Sequence, residues 1–220
     1  MRQQRPRGTT TRDSVVQAAL DVVDRVGLEA LTIRAVAAAV SAPPMSLYTH
    51  FTNKEELIDL MYSAVARRLY IDSGCDTWQA ELQALAQHLC ETLLAHPLWT
   101  PILSRRTAPT VVGVSERVLA MMVADGFSAS AALAGLSSVV LSTIGLVLVD
   151  LNFRESDGGS TLTGRFNRLK ALFDESQPSA APTIHEAFAK APTFELKNLI
   201  QFSIKTLILG LERGLSAAPR

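Results

Sequence analysis

Apolar residues recur every three to four positions along most of the chain, and no segment alternates apolar and polar as a half-buried strand does. The pattern predicts an all-α protein. A first helix should start near Thr11 and run to Val26, with Val15, Ala19, Val22, Val23 and Val26 inward and Gly27 as its stop. Two short helices with a tight turn between them fill the next stretch. One is capped by Thr32 and buries Ile33, Val36, Ala37 and Val40; the turn is Ser41-Ala42. The other runs from Pro44 to His50, since proline is tolerated in a first helical turn, where its missing N–H would have had no partner. Leu47 and Phe51 form its apolar side, while Ser46, Tyr48, Thr49 and His50 point outward. Asn53 caps a longer helix from Lys54 to about Ile71, with Glu56 completing a capping box and Leu57, Leu60, Met61, Ala64 and Val65 as its stripe.

Beyond the break at Asp72-Ser73-Gly74, the same spacing predicts a helix from Trp78 to Ala95 carrying Leu82, Leu85, Leu89, Leu93 and Leu94, ended by His96-Pro97. A short helix between Pro97 and Pro109 follows, then Val111 to Ala124 with a stop at Asp125-Gly126. Residues 126 to 149 hold no charge, a run long enough to span a membrane. Asp125 and Asp150 at its ends, the lack of Lys or Arg anchors and six serines or threonines along it favour instead a helix buried partly by its own domain and partly by a second subunit. Loop-forming residues crowd 155 to 164 and 177 to 182, with helical pieces expected around Arg165 to Phe173 and Ile184 to Lys190. The last helix spans Phe194 to Arg213, with Leu196, Leu199, Ile200, Ser203, Leu207, Gly210 and Leu211 on one side.

Two short helices with an outward polar face have the pattern of a helix-turn-helix reader of DNA, although such a pair also occurs as plain packing. Charge supports the reader. Net charge is zero, with 21 basic and 21 acidic residues, yet residues 1 to 12 hold Arg2, Arg5, Arg7 and Arg12 and no acid. Lys54 sits at a helix start, where free N–H groups and the dipole favour a phosphate. The segments Leu31-Thr32-Ile33-Arg34, Met45-Ser46-Leu47-Tyr48, His50-Phe51 and Asn53-Lys54-Glu55, with the paired alanines between them, resemble the N-terminal domain of the tetracycline-repressor (TetR) family over roughly residues 10 to 60. By that resemblance Tyr48, His50 and Lys54 contact phosphates while Met45, Ser46 and Thr49 face the bases. Thr32 and Arg34, with Arg5 and Arg7 of the basic arm, complete the candidate DNA-binding set. Ser41 stands where that family often has glycine, and the Pro43-Pro44 pair is a second departure.

The C-terminal half resembles the branch that includes the tetracycline repressor itself, in which a long eighth helix and the last helix make a four-helix dimer interface. A homodimer through helices 128–153 and 194–213 is therefore expected. Tyr70, Leu85, His88, Leu89, Trp99, Leu103, Arg106, Met121 and Met122 are the candidates for an apolar effector cavity, although Met and Trp are also ordinary core fillers. No His/Asn set for a tetracycline–metal complex is evident, so the effector is described only as an apolar or amphipathic small molecule. A constitutive DNA-binding or scaffolding dimer without an effector is the alternative.

Chemistry of other kinds is not indicated. The sequence has no phosphate-binding loop, no Gly-x-Ser-x-Gly elbow and no His-Glu-x-x-His pair, and its four histidines, His50, His88, His96 and His185, are scattered. Cys75 and Cys90 are too few for a disulfide framework and lack zinc-site spacing. Neither enzyme activity, a cofactor nor a metal is expected. The N-terminus has charge but no apolar core of a secretory signal, which points to the cytoplasm rather than a membrane or export. The resulting expectation is a reader domain over 1–54 and an effector-binding and dimerisation domain over 55–220, acting as a repressor on double-stranded operator DNA.

Overall fold

The computed structural model describes residues 10–69, 73–105, 112–156, 161–174, 182–190 and 195–217, and no strand occurs among them. The helices are α1 (Arg12–Val26), α2 (Ile33–Ala39), α3 (Pro44–Leu47), α4 (Lys54–Leu69), α5 (Trp78–Ala95), α6 (Thr100–Arg105), α7 (Val112–Ala124), α8 (Ala129–Ser156), α9 (Leu162–Asp174), α10 (Pro182–Lys190) and α11 (Leu196–Ala217). The chain divides into two compact units. Met1–Leu69 with His96–Val112 forms the first, and Tyr70–Ala95 with Gly113–Arg220 the second. The expected boundary at 54/55 thus falls inside α4, which packs entirely with the first unit because Leu57, Ile58, Met61, Tyr62, Val65, Ala66 and Leu69 are all buried there.

In the first unit α1 lies on α2 and α4. Thr11 caps α1 reciprocally: its hydroxyl accepts from Ser14 N–H at 3.2 Å and its own N–H donates to Ser14 Oγ at 2.9 Å. Val15, Ala19, Val22 and Val23 are buried as expected, but Val26, the last residue of α1, is 55% exposed. Ile33 and Val40, at the two ends of the short α2, are only half-buried, while Val36 and Ala37 between them are buried. The segment after α5 returns to this unit. Trp99 is buried in a 3-10 turn, stacked on His96 with centroids 3.9 Å apart, and His96 Nδ1 lies 2.9 Å from Asp24 Oδ2 of α1.

The second unit is built on α5, α8 and α11, each packed on the other two. From α8 come Ala132, Leu136, Val139, Val140, Thr143, Val147 and Leu151, and from α11 Leu196, Ile200, Ile204 and Ile208, one side of each helix at steps of three and four. The inner face of α11 therefore includes Ile204 and Ile208, while Leu199, Ser203, Leu207 and Leu211 are half-buried and Gly210 is exposed, a rotation that periodicity alone did not resolve. Gly135 allows close approach, since a Cβ there would lie 3.0 Å from the Leu211 side chain and 3.2 Å from Met122 Cε. Polar groups brace the unit. Trp78 Nε1 donates to Asp125 Oδ2 at 2.8 Å, and buried Asp150 accepts from Leu162 N–H at 2.7 Å and from Arg154 Nε at 2.8 Å, linking α8 to the start of α9. By length and composition α8 is apolar enough to cross a membrane, yet one of its faces is spent on α5 and α11.

Candidate nucleic-acid interface

The reader is positioned from its turn outward. Thr32 Oγ1 accepts from Ala35 N–H at 3.2 Å to cap α2, as the sequence predicts. At the other end Ala42 N–H reaches Ala37 O at 2.9 Å and Ser41 N–H reaches Ala38 O at 3.2 Å, the paired bonds of a Schellman stop, with Ser41 at φ 55°. Pro43 then serves as the N-cap of α3 with Pro44 as its first residue.

The second reader helix is shorter than expected. It ends at Leu47, and Tyr48 to His50 continue as turns held by Thr49 N–H to Ser46 O at 3.4 Å and His50 N–H to Leu47 O at 2.9 Å. The division of faces holds except at His50. Leu47 and Phe51 are buried, whereas Met45 is 77% exposed and Ser46, Tyr48 and Thr49 are exposed; His50 is half-buried. The Tyr48 ring rests on Phe51, centroids 5.8 Å apart. Ser46 Oγ donates to Pro43 O and Thr49 Oγ1 to Ser46 O, each at 2.7 Å, so both hydroxyls hold the turn with their protons and present lone pairs outward. Arg34 projects from the exposed side of α2.

At the start of α4, Glu56 N–H donates to Asn53 Oδ1 at 2.9 Å, leaving Lys54 exposed in the first turn. Glu56 closes the box one residue earlier than predicted: its carboxylate accepts from Thr52 N–H at 2.6 Å and Thr52 Oγ1 at 2.7 Å, and Arg12 of α1 pairs with its other oxygen at 3.1 Å. These Thr52 hydrogen bonds, and then the Arg12 charge, hold the Glu56 carboxyl below its ordinary value. An acid beside Lys54 is thus engaged within the protein. The Arg12 link, across 44 positions, had no sequence signal beyond the presence of two opposite charges. Arg5 and Arg7 lie outside the described residues.

Residues 15–61 match the family described as "Bacterial regulatory proteins, tetR family", and residues 72–214 match "Tetracyclin repressor-like, C-terminal domain". The chain belongs to the tetR family of bacterial regulatory proteins. It is a helix-turn-helix DNA-binding transcriptional regulator. Among curated tetR-family relatives it is 32% identical over 174 residues to an HTH-type transcriptional regulator of Saccharopolyspora erythraea, spanning 77% of this chain and 73% of that one. With the class D tetracycline repressor of Escherichia coli it shares 27% over 210 residues, or 94% and 91% of the two chains. In fold it is similar to ActR of Streptomyces coelicolor, solved in complex with actinorhodin, at a TM-score of 0.73 and 22% identity over 96% of this chain and all of that one (100%).

The residues expected to line an effector cavity are divided between the two units. Trp99 and Leu103 lie in the first; Leu85, His88, Leu89, Met121 and Met122 lie in the second. Tyr70 and Arg106 fall outside the described residues. Leu85, Leu89, Trp99 and Met122 are buried, and His88, Leu103 and Met121 are half-buried. Trp99 Nε1 is buried and finds no hydrogen-bond acceptor among the described residues. A cavity of about 360 Å³ does open in the second unit, on a different face of α5, lined by Ala86, Cys90 and Leu94 of that helix and Ile200 and Ile204 of α11. None of the expected effector residues lines it.

Proposed function

We propose that this tetR-family protein is a homodimeric repressor that grips duplex operator DNA through residues 43–54 and lets go when a small apolar or amphipathic molecule binds beyond α4. The observation that carries the reading is the exposed set Met45, Ser46 and Thr49 held on a scaffold of buried Leu47 and Phe51, with Lys54 at the adjoining helix start. Met45 suits contact with a thymine methyl, and the outward lone pairs of Ser46 and Thr49 suit the exocyclic amines of adenine or cytosine. Tyr48, His50 and Lys54 take phosphates, Thr32 and Arg34 flank them, and the arm with Arg5 and Arg7 enters the neighbouring minor groove.

The dimer uses the outward faces of α8 and α11. Leu133 and Leu141 of α8 are 55% and 68% exposed, and Phe202 and Leu209 of α11 are 70% and 47% exposed, an apolar surface that a two-fold partner would cover. The same closure supports reading α8 as a dimer helix rather than a membrane span, since buried Thr143 and Asp150 lie on its inner face. Leu85, His88, Leu89, Met121 and Met122 are the effector wall within the second unit, with His88 as its polar group. Such a regulator meets its operator in the cytoplasm and needs no catalytic group, metal or cofactor.

The test uses full-length protein and a duplex it selects from a random library. Lys54→Ala should weaken binding to every sequence alike and lower the salt dependence by about one unit of slope, whereas Thr49→Ala should change the selected bases. A Lys54→Ala variant with altered base preference and an unchanged salt slope would overturn the phosphate assignment.

A further inference from the structure

The cavity between α5 and α11 has a composition that the regulator reading does not use. Its floor is apolar, made by Ala86, Cys90, Ile200 and Ile204, all buried, with half-buried Leu94 at one end. Its volume of about 360 Å³ lies within the 300–1,000 Å³ usual for small-molecule sites. The α11 rim is a rail of Lys197, Gln201 and Lys205, four residues apart and therefore on one side of the helix, with the two ammonium-bearing positions separated by about 12 Å of helix rise. Both lysines are exposed, and neither has an ion-pair partner among the described residues.

The opposite rim differs. Glu91 of α5 is its acid, and Gln87 donates to it through its side-chain amide at 2.9 Å, so that carboxylate is partly engaged along its own helix. Charge across the opening is thus positive on the α11 side, with two cations to one acid. An apolar trough about two helical turns long, with cations along one edge, is complementary to an elongated apolar body that ends in an anionic group. A cationic amphiphile would have to pass two ammonium groups to reach one occupied carboxylate. A second copy of this chain is a poorer occupant, because the large exposed apolar side chains of α11, Phe202 and Leu209, lie on another face and do not line the trough.

We propose that the α5–α11 cavity is a binding site for elongated amphipathic carboxylates, whose chain lies on the floor at Cys90 and Ile204 while the carboxylate pairs with Lys197 or Lys205. The site is separate from the effector wall of the preceding section, which occupies a different face of α5, and it stands or falls independently of operator release.

Decanoate, kept below micelle-forming concentration, is the probe, with decanol and decylammonium as the neutral and cationic counterparts. Calorimetric titration of the full-length protein should show saturable binding of decanoate, at least tenfold tighter than of either counterpart, and the double variant Lys197→Glu, Lys205→Glu should lose at least tenfold in decanoate affinity with an unchanged circular dichroism spectrum. In a Cys75→Ser background, Cys90 is the remaining thiol, and saturating decanoate should slow its labelling by N-ethylmaleimide several-fold. Absence of decanoate binding, equal affinity for all three probes, or full affinity in the double variant would each overturn the proposal. Operator affinity is measured in parallel: a decanoate-bound protein that still holds DNA leaves this site assigned and says that it is not the release site.

Discussion

Ser41 ends α2 in the left-handed region at φ 55°, where an L side chain costs about 1–2 kcal/mol and glycine costs nothing sterically but loses more chain entropy on folding. The balance predicts that Ser41→Gly stabilises the protein by about 0.5–1 kcal/mol in urea unfolding, with DNA affinity unchanged because the Schellman bonds are made by backbone. A destabilised Ser41→Gly would mean that the serine side chain does more than tolerate the turn. Glu56 is the second residue whose environment sets a measurable property. Its folded pKa is depressed below the ordinary carboxylate value, so its contribution to stability is present above that ordinary value and is lost as pH falls through the lower folded one. Glu56→Gln should therefore lower stability at neutral pH and flatten the loss of stability on the acid side, as pH falls below the ordinary carboxylate range. Equal pH dependence in the two proteins would dismiss the Thr52 and Arg12 contacts as unimportant in solution.

At the scale of elements, α8 shows why a helix apolar nearly all round can belong to a globular unit. One face carries Leu136, Val139, Val140 and Val147 into the contact with α5 and α11, and the other leaves Leu133 and Leu141 to solvent. Burying one leucine side chain stabilises by about 1.5–3 kcal/mol, so an uncovered stripe of this kind is a strong drive to associate. Leu141→Glu, on the exposed side, should leave the helical content intact, convert dimers to monomers in light scattering and reduce operator binding, since half-sites are then met one reader at a time. A monomeric unmodified protein at micromolar concentration would rule out the α8–α11 interface.

At the scale of the molecule, regulation requires that a ligand distinguish the DNA-competent form from another. The chain leaving α4 enters the second unit at a stretch pinned there: buried Glu81 accepts from Ser73 N–H at 2.7 Å and Cys75 N–H at 3.1 Å, and Arg117 of α7 donates to Cys75 O at 2.7 Å. These bonds tie α7 to residues 73–75, the described stretch that follows α4 in the chain. Dimeric readers must meet half-sites about 34–36 Å apart or a multiple of that, so a modest change in reader separation suffices to release DNA. A coupling of about 1–3 kcal/mol would lower operator affinity about 5- to 150-fold, and saturating operator must weaken effector affinity by the same factor. Titration of the effector against free and operator-bound dimer checks this equality; identical affinities would leave ligand binding without regulatory consequence.

Periodicity and local capping chemistry determined the helical class, the span of α5 to the residue, the cap at Thr32 and the division of the reader into buried Leu47 and Phe51 and exposed Ser46, Tyr48 and Thr49, because these depend on neighbours three or four positions away; the outward place of Met45 was implied by the family resemblance alone. Local chemistry could not determine where α3 stops, since turn bonds from Thr49 and His50 can follow a single helical turn as readily as a second one. Contacts across long separations were decided only by tertiary structure. The Arg12–Glu56 pair, the return of His96–Val112 to the first unit and the rotation of α11 that buries Ile204 and Ile208 each depend on which helix lies opposite, and no spacing within one segment records that. The α5–α11 cavity is of the same kind: Lys197 and Lys205 read as ordinary surface charges until the fold sets them beside an apolar floor supplied by a helix about 110 residues earlier in the chain.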